Sequence, residues 1–175
     1  MVKRPYNRSP HQYPPRPFPE NPGILVEIDT IVDGPYTDRL YVYTLLDVCS
    51  RFAFAFPFIS ADTANSIRFL EKAVPFVPFP MQTIQSDHGA EFSRRFTDRL
   101  LKRGFSHRHS RIRTPTDNGH LERFNRTIQE ECINRVVRDI KVYRKEIAEY
   151  LRYYNHERPH MALNMKTPAE VLRSN

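Results

Sequence analysis

The chain reads as an α/β protein built on one mixed sheet with helices on both faces. Two observations carry that expectation. Short β-branched and apolar runs alternate with stretches at helical spacing, in the order β-β-β-α-β-α-β-α-α. The first three runs are joined by tight turns, as an antiparallel meander requires, whereas the later ones are separated by helices, the connection parallel strands require. With 175 residues, 39% of them hydrophobic, there is enough chain to bury one core.

Residues 1–22 hold seven of the fifteen prolines, and no regular element survives that density. They are expected to form an extended arm or linker, with residues 23–175 as the globular core. Residues 24–32 (Ile-Leu-Val-Glu-Ile-Asp-Thr-Ile-Val) form the first expected strand. Alternation sets Ile24, Val26, Ile28 and Thr30 on one face and the acids Glu27 and Asp29 on the other. Asp33-Gly34-Pro35 turns the chain into strands at 39–48 and 51–58, with a bend at Cys49-Ser50. Phe52, Phe54, Phe56 and Phe58 share one face of the third strand and read as core or interface.

A helix is expected over 62–74, blocked by Pro75, Pro78 and Pro80. A fourth strand over 81–86 ends at Asp87. A helix over 90–103 follows, with a stripe of Phe92, Phe96, Leu100 and Leu101 and a stop at Gly104. The fifth strand covers 105–109, with His107 and His109 expected to face solvent. A loop over 110–118 feeds a helix starting near Asn118 or Gly119. The helix over 140–154 has the stripe Val142, Ile147, Tyr150, Leu151 and Tyr154. A last short helix opens at Thr167-Pro168-Ala169-Glu170, with Thr167 and Glu170 placed as a capping box.

The net charge is +7 and the pI about 9.6, and 21 of the 27 basic residues are arginine. Arginine grips phosphate in a bidentate fork, so this bias favours a nucleic-acid partner. No apolar run reaches the length of a membrane span, and the proline-rich start has no secretory core. Cys49 and Cys132 are too few for a disulfide framework or a zinc site and suit a reducing compartment. The expected location is cytoplasmic, on the nucleoid if the source is bacterial.

Three acids stand in unusual places. Asp29 lies inside a strand, where acids are depleted. Asp87 lies where a strand ends and a helix soon begins. Glu122 lies in the first turns of a helix, among arginines. Carboxylates gathered in one place repel unless a cation neutralises them, and hard oxygen ligands select Mg2+ or Mn2+. Simpler roles exist for each: a turn acid for Asp29, a helix cap for Asp87, an ion pair with Arg126 for Glu122. Glu91 reads as a first-turn helix acid favoured by the dipole.

Three stretches carry a family resemblance: Glu27-Ile-Asp29-Thr, Ser86-Asp87-His-Gly-Ala-Glu91-Phe92, and Thr114-Pro-Thr-Asp-Asn-Gly-His-Leu-Glu122-Arg-Phe-Asn-Arg-Thr-Ile128. A fourth, Tyr154-Asn155-His-Glu-Arg158-Pro159-His160 with Lys166-Thr-Pro-Ala-Glu170, resembles the tail of one branch. Over residues 22–173 the chain resembles the integrase core domain of insertion-sequence transposases and retroviral integrases, the DDE superfamily. The 57 residues between Asp29 and Asp87 and the 34 between Asp87 and Glu122 fit it, the second gap being one shorter than usual.

The resemblance implies a ribonuclease H-like fold, with a five-stranded mixed sheet flanked by helices and its first and fourth strands adjacent. It implies a DNA transposase or integrase activity, cleaving DNA phosphodiesters and transferring strands with two Mg2+ or Mn2+ ions. Asp29 would bridge both ions, Asp87 would ligate one and Glu122 the other. Arg111, Arg113, Asn118, Arg123 and Arg126 are the implied DNA contacts, Arg123 being as suited to a plain surface position. His88, where many relatives carry Asn, could bond a carboxylate or a phosphate or face solvent. The implied partners are DNA, as element ends and target, and further copies of the chain in at least a dimer. Relatives carry an upstream helix-turn-helix that residues 1–22 do not spell. The alternative function is a catalytically silent fragment that binds DNA or partners.

Overall fold

A computed structural model describes residues 16–111 and 119–174. Five strands form one sheet: β1 (Leu25–Asp33), β2 (Leu40–Asp47), β3 (Ala53–Phe58), β4 (Thr83–Ser86) and β5 (Ser106–His109), in the order β3-β2-β1-β4-β5. β1–β2 and β2–β3 are antiparallel, and β1–β4 and β4–β5 are parallel. The helices are α1 (Thr63–Phe76), α2 (Arg94–Lys102), α3 (Gly119–Glu131), α4 (Ile140–His156) and α5 (Pro168–Ser174). This is the expected mixed sheet, and the first and fourth strands are neighbours.

The two faces are covered by different helices. On one face, Tyr43 and Phe54 pack on Phe69 of α1, with ring centroids 5.5 Å apart in both pairs. Phe52, Phe54 and Phe58 are buried as core. The other face carries Glu27 and Asp29 and is met by α3, which α4 flanks through the Phe124–Tyr154 contact at 4.9 Å. Gly23 closes the entry to β1. Its φ of +84° and the Pro80 carbonyl directly against it leave no room for a Cβ.

The capping box forms as expected. Glu170 Oε2 accepts from the Thr167 N–H at 2.7 Å, and Thr167 Oγ1 accepts from the Glu170 N–H at 3.2 Å. The tail anchors on the sheet edge through Asn155, whose side chain is fully buried: its Oδ1 accepts from the Ala53 N–H at 2.9 Å and its Nδ2 donates to the Ala53 carbonyl at 2.8 Å.

Four expectations are corrected. α1 runs through Pro75 to Phe76: Pro75 costs one i→i−4 hydrogen bond in the last turn, and the stop comes at Val77, which Pro78 favours in its extended conformation. The helix expected over 90–103 is two pieces, a 3-10 turn at Ala90–Phe92 and then α2, separated by extended Ser93. That break sets the phase of α2, so Phe96 and Leu100 are buried while Leu101 is 57% exposed. In α4 the buried stripe starts at Tyr143, not Val142. Its hydroxyl explains the phase, donating to Asp33 Oδ2 at 2.7 Å.

The fourth correction concerns the histidines. His107 is buried, not solvent-facing, because α2 covers β5. Its Nδ1 lies 2.8 Å from Thr97 Oγ1 and its Nε2 3.0 Å from Ser86 Oγ. Burial pushes its pKa down to about 3, so the ring is neutral at ordinary pH. His109 is half-buried beside it, with Nδ1 2.6 Å from the Asp87 carbonyl.

Candidate active site

The parallel register of β1 and β4 does most of the assembly. Glu27 pairs with Gln85, so two residues further along each chain Asp29 and Asp87 come level. Each carboxylate is held by its own backbone. Asp29 Oδ1 accepts from the Thr30 N–H at 2.8 Å, and Asp87 Oδ1 accepts from the Gly89 N–H at 2.8 Å. Asp29 Oδ2 accepts from Asn125 Nδ2 of α3 at 2.9 Å. That bond brings α3 to the acid.

Asp29 is raised to a pKa of about 6. Burial is the main cause, the charges of Asp87 and Glu91 add to it, and the Thr30 and Asn125 hydrogen bonds oppose it. Glu91 is therefore an electrostatic neighbour of the pair. It lies in a three-residue 3-10 turn, too short for the dipole role expected of it. Its Oε2 comes within 2.6 Å of where a Cβ on Gly89 would be, and Asp87 Oδ1 within 3.0 Å, so Gly89 keeps the space between the two acids open.

Glu122 lies one turn before Asn125 on α3 and is exposed. Among the described residues, no three His, Cys, Asp or Glu side chains are gathered closely enough to hold one ion. The strand register brings Asp29 and Asp87 level, and the two do not form such a three-acid group with Glu122. Arg126, one turn beyond Glu122, is exposed on α3, as are Arg123 and, just beyond the end of β5, Arg111. Arg113 and Asn118 lie outside the described residues, as does most of the loop expected over 110–118. The His88 ring stacks on His109 with centroids 4.9 Å apart.

Two residues of the site have only faint signals in the sequence. Glu27 is visible there as no more than a second acid on the Asp29 face. It is fully buried, its Oε1 accepts from Arg16 Nη2 at 3.0 Å, and its Oε2 accepts from the Leu121 N–H at 3.2 Å. Burial raises its pKa to about 7 against the opposing charge of Arg16. This one carboxylate ties Arg16 to the first turn of α3. Asn125 shares the Glu122 face of α3, and that spacing is its only signal.

Two family models, each described as "Integrase core domain", match the chain, one over residues 19–115 and the other over residues 103–168. The chain belongs to the integrase core domain family. It is 26% identical over 159 residues to a putative integrase, ORF3, of Spiroplasma virus SpV1-C74, a match covering 78% of this chain and 42% of that protein. It is 29% identical over 141 residues to the transposase for insertion sequence element IS904 of Lactococcus lactis, covering 78% of this chain and 56% of that one. The chain thus spans about half, or less, of these curated relatives. The HTLV-2 integrase catalytic core domain, solved in complex with magnesium, superimposes with a TM-score of 0.70 at 16% identity, covering 86% of this chain and 96% of that one. The integrase-family sheet is the one described above, with its ribonuclease H-like strand order. No helix among the described residues is long and apolar enough to cross a membrane.

Proposed function

We propose that this integrase core cleaves DNA phosphodiesters and transfers DNA strands, with Asp29, Asp87 and Glu122 holding Mg2+ or Mn2+. The observation that carries the reading is the level placement of Asp29 and Asp87 on adjacent parallel strands, where burial, with the Asp87 charge adding to it, raises the Asp29 pKa. The donor set fits the ions: all-oxygen, hard, and crowded with like charge that a dication would relieve. When bound, such ions would supply activation of the attacking oxygen and stabilisation of the departing one, so that no side-chain general base would be needed.

The chain's own residues prepare that site. Asn125 fixes the orientation of the Asp29 carboxylate, and the Glu27–Leu121 bond fixes the start of the helix that carries Glu122. Glu122, exposed on that helix, completes the ligand set. Arg126 holds a backbone phosphate one turn from the acids. We place the working protein on DNA in the cytoplasm, in an assembly of at least two copies.

The test is nicking of a DNA duplex by the chain in Mg2+ or Mn2+. Glu122→Gln is expected to lower the cleavage rate on the order of 100-fold or more while leaving the melting temperature unchanged, as an exposed ligand should. Full activity in that variant removes Glu122 from the ligand set. DNA binding without nicking in the unaltered chain favours the catalytically silent alternative. Separately, Arg126→Ala is expected to weaken duplex binding regardless of sequence and to make the slope of log affinity against log salt shallower by about 0.9. An unchanged slope removes Arg126 from the phosphate contacts.

A further inference from the structure

Behind α3, on the side away from Asp29, lies an open cavity of about 630 Å3 whose lining includes Arg51, His120, Arg123, Tyr154 and Arg158. Residues two apart on a helix point about 200° apart. Asn125 faces Asp29, so Arg123 and Thr127 face the opposite way, into this cavity. It is therefore a separate place from the carboxylates.

Its cations are not equivalent. Arg158 is neutralised by Glu131, with Nε–Oε2 at 3.0 Å and Nη2–Oε1 at 2.7 Å. Arg51 is not neutralised in that way. Its guanidinium bonds the Val48 carbonyl and lies 3.3 Å from His120 Nε2, and among the described residues it has no carboxylate within ion-pair distance. Partial burial pulls its pKa down, opposed by Glu27, Tyr154, Asp47 and Cys49. Its backbone is also in an uncommon state, with φ at +63°, a region that glycine and asparagine occupy at less cost. A half-buried cation held on a strained turn, in a cavity that a second arginine also lines, is costly until an anion joins it.

We propose that this cavity is a phosphate notch in which Arg51, Arg123 and the His120 ring hold a backbone phosphodiester of DNA on the rear side of α3. The inference rests on the reading that the chain acts on DNA. An arginine pair and an imidazole suit a phosphate, since guanidinium forks match its oxygens. The same chemistry would take free inorganic phosphate, so the two sources need separate measurements.

The decisive variant is Arg51→Gly, with Arg51→Asn as a second. Both residues accept the left-handed turn, so neither is expected to melt below the unaltered chain. First, inorganic phosphate is titrated at constant ionic strength against chloride while melting is followed. It is expected to raise the melting temperature of the unaltered chain and not that of either variant. No phosphate-specific rise in the unaltered chain overturns the notch. Second, duplex DNA binding is measured in EDTA over a salt series. Arg51→Gly is expected to lose affinity about fivefold or more and to flatten the salt slope by about 0.9. Phosphate stabilisation through Arg51 with unchanged DNA affinity and slope overturns the phosphodiester as occupant. If the unaltered chain binds no DNA, the DNA reading and this occupant both fail. That outcome is told apart because it shows without any substitution, while the phosphate titration still reports on the cavity.

Discussion

Asp29→Asn is expected to abolish metal-dependent DNA cleavage, on the order of 1000-fold or more, and at the same time to raise the melting temperature at pH 7. The loss follows from removing the charge that two crowded acids present to a dication. The gain follows from the burial of that acid, to which the neighbouring charges add. Folding raises the Asp29 pKa from its ordinary value of 3.8 to about 6, so the folded state favours the neutral form. The stability this supplies is full below about pH 4 and is lost as pH rises through 6. At pH 7 the ionised acid therefore costs stability, about 1–2 kcal/mol after allowing for its partial exposure. A neutral amide escapes that cost.

The new amide needs partners, and the structure has them. Its oxygen would accept from the Thr30 N–H, and its amino group would face Asn125, whose buried Oδ1 has no partner among the described residues. A half-turn of the Asn125 amide supplies the acceptor. Melting curves at pH 4 and pH 7 check this: the variant should gain a few degrees at pH 7 and nothing at pH 4. Retained cleavage would remove Asp29 from the site, and a lower melting temperature at pH 7 would refute the electrostatic account.

Asn155→Ala is expected to destabilise the chain by about 2–4 kcal/mol without touching the acids. The amide satisfies both the N–H and the carbonyl of Ala53, and all of these groups are buried. Truncation leaves a donor and an acceptor unsatisfied and opens a gap under α4. Asn155→Asp separates the two contributions, since it keeps the acceptor for the N–H and faces the carbonyl with a charge. Urea unfolding measures both. A loss under about 0.5 kcal/mol in the alanine variant would mean that water replaces the amide freely.

The strands and helices were largely legible because each is short and bounded by Pro, Gly or Asp. The pairing of β1 with β4 was not legible locally. Nothing in either strand names the other, and only the family resemblance implied it. His107 and His109 show the limit of alternation: it sets them on one face and is silent on whether a helix covers that face. Leu101 shows a second limit, since extended Ser93 resets the helical phase that the whole 90–103 stretch implies. Glu27 and Asn125 were on the right faces in the sequence, but their partners lie 94 and 96 residues away. Arg51 gave no signal, because a positive φ at a non-glycine turn residue leaves no trace in composition.

The outer edge of the sheet at β3 has a consequence for how copies of this chain can meet. In an antiparallel ladder alternate residues turn their backbone groups outward, so on β3 the row facing away from β2 is Ala53, Ala55 and Pro57. Asn155 already occupies both groups of Ala53, and Pro57 has no N–H to offer. Only Ala55 is left with a full pair of backbone groups facing away from β2. A strand from another molecule would find no continuous template there, so runaway edge-to-edge polymerisation is blocked along this border. Along this border, contacts between copies must be built from side chains instead of a shared backbone ladder.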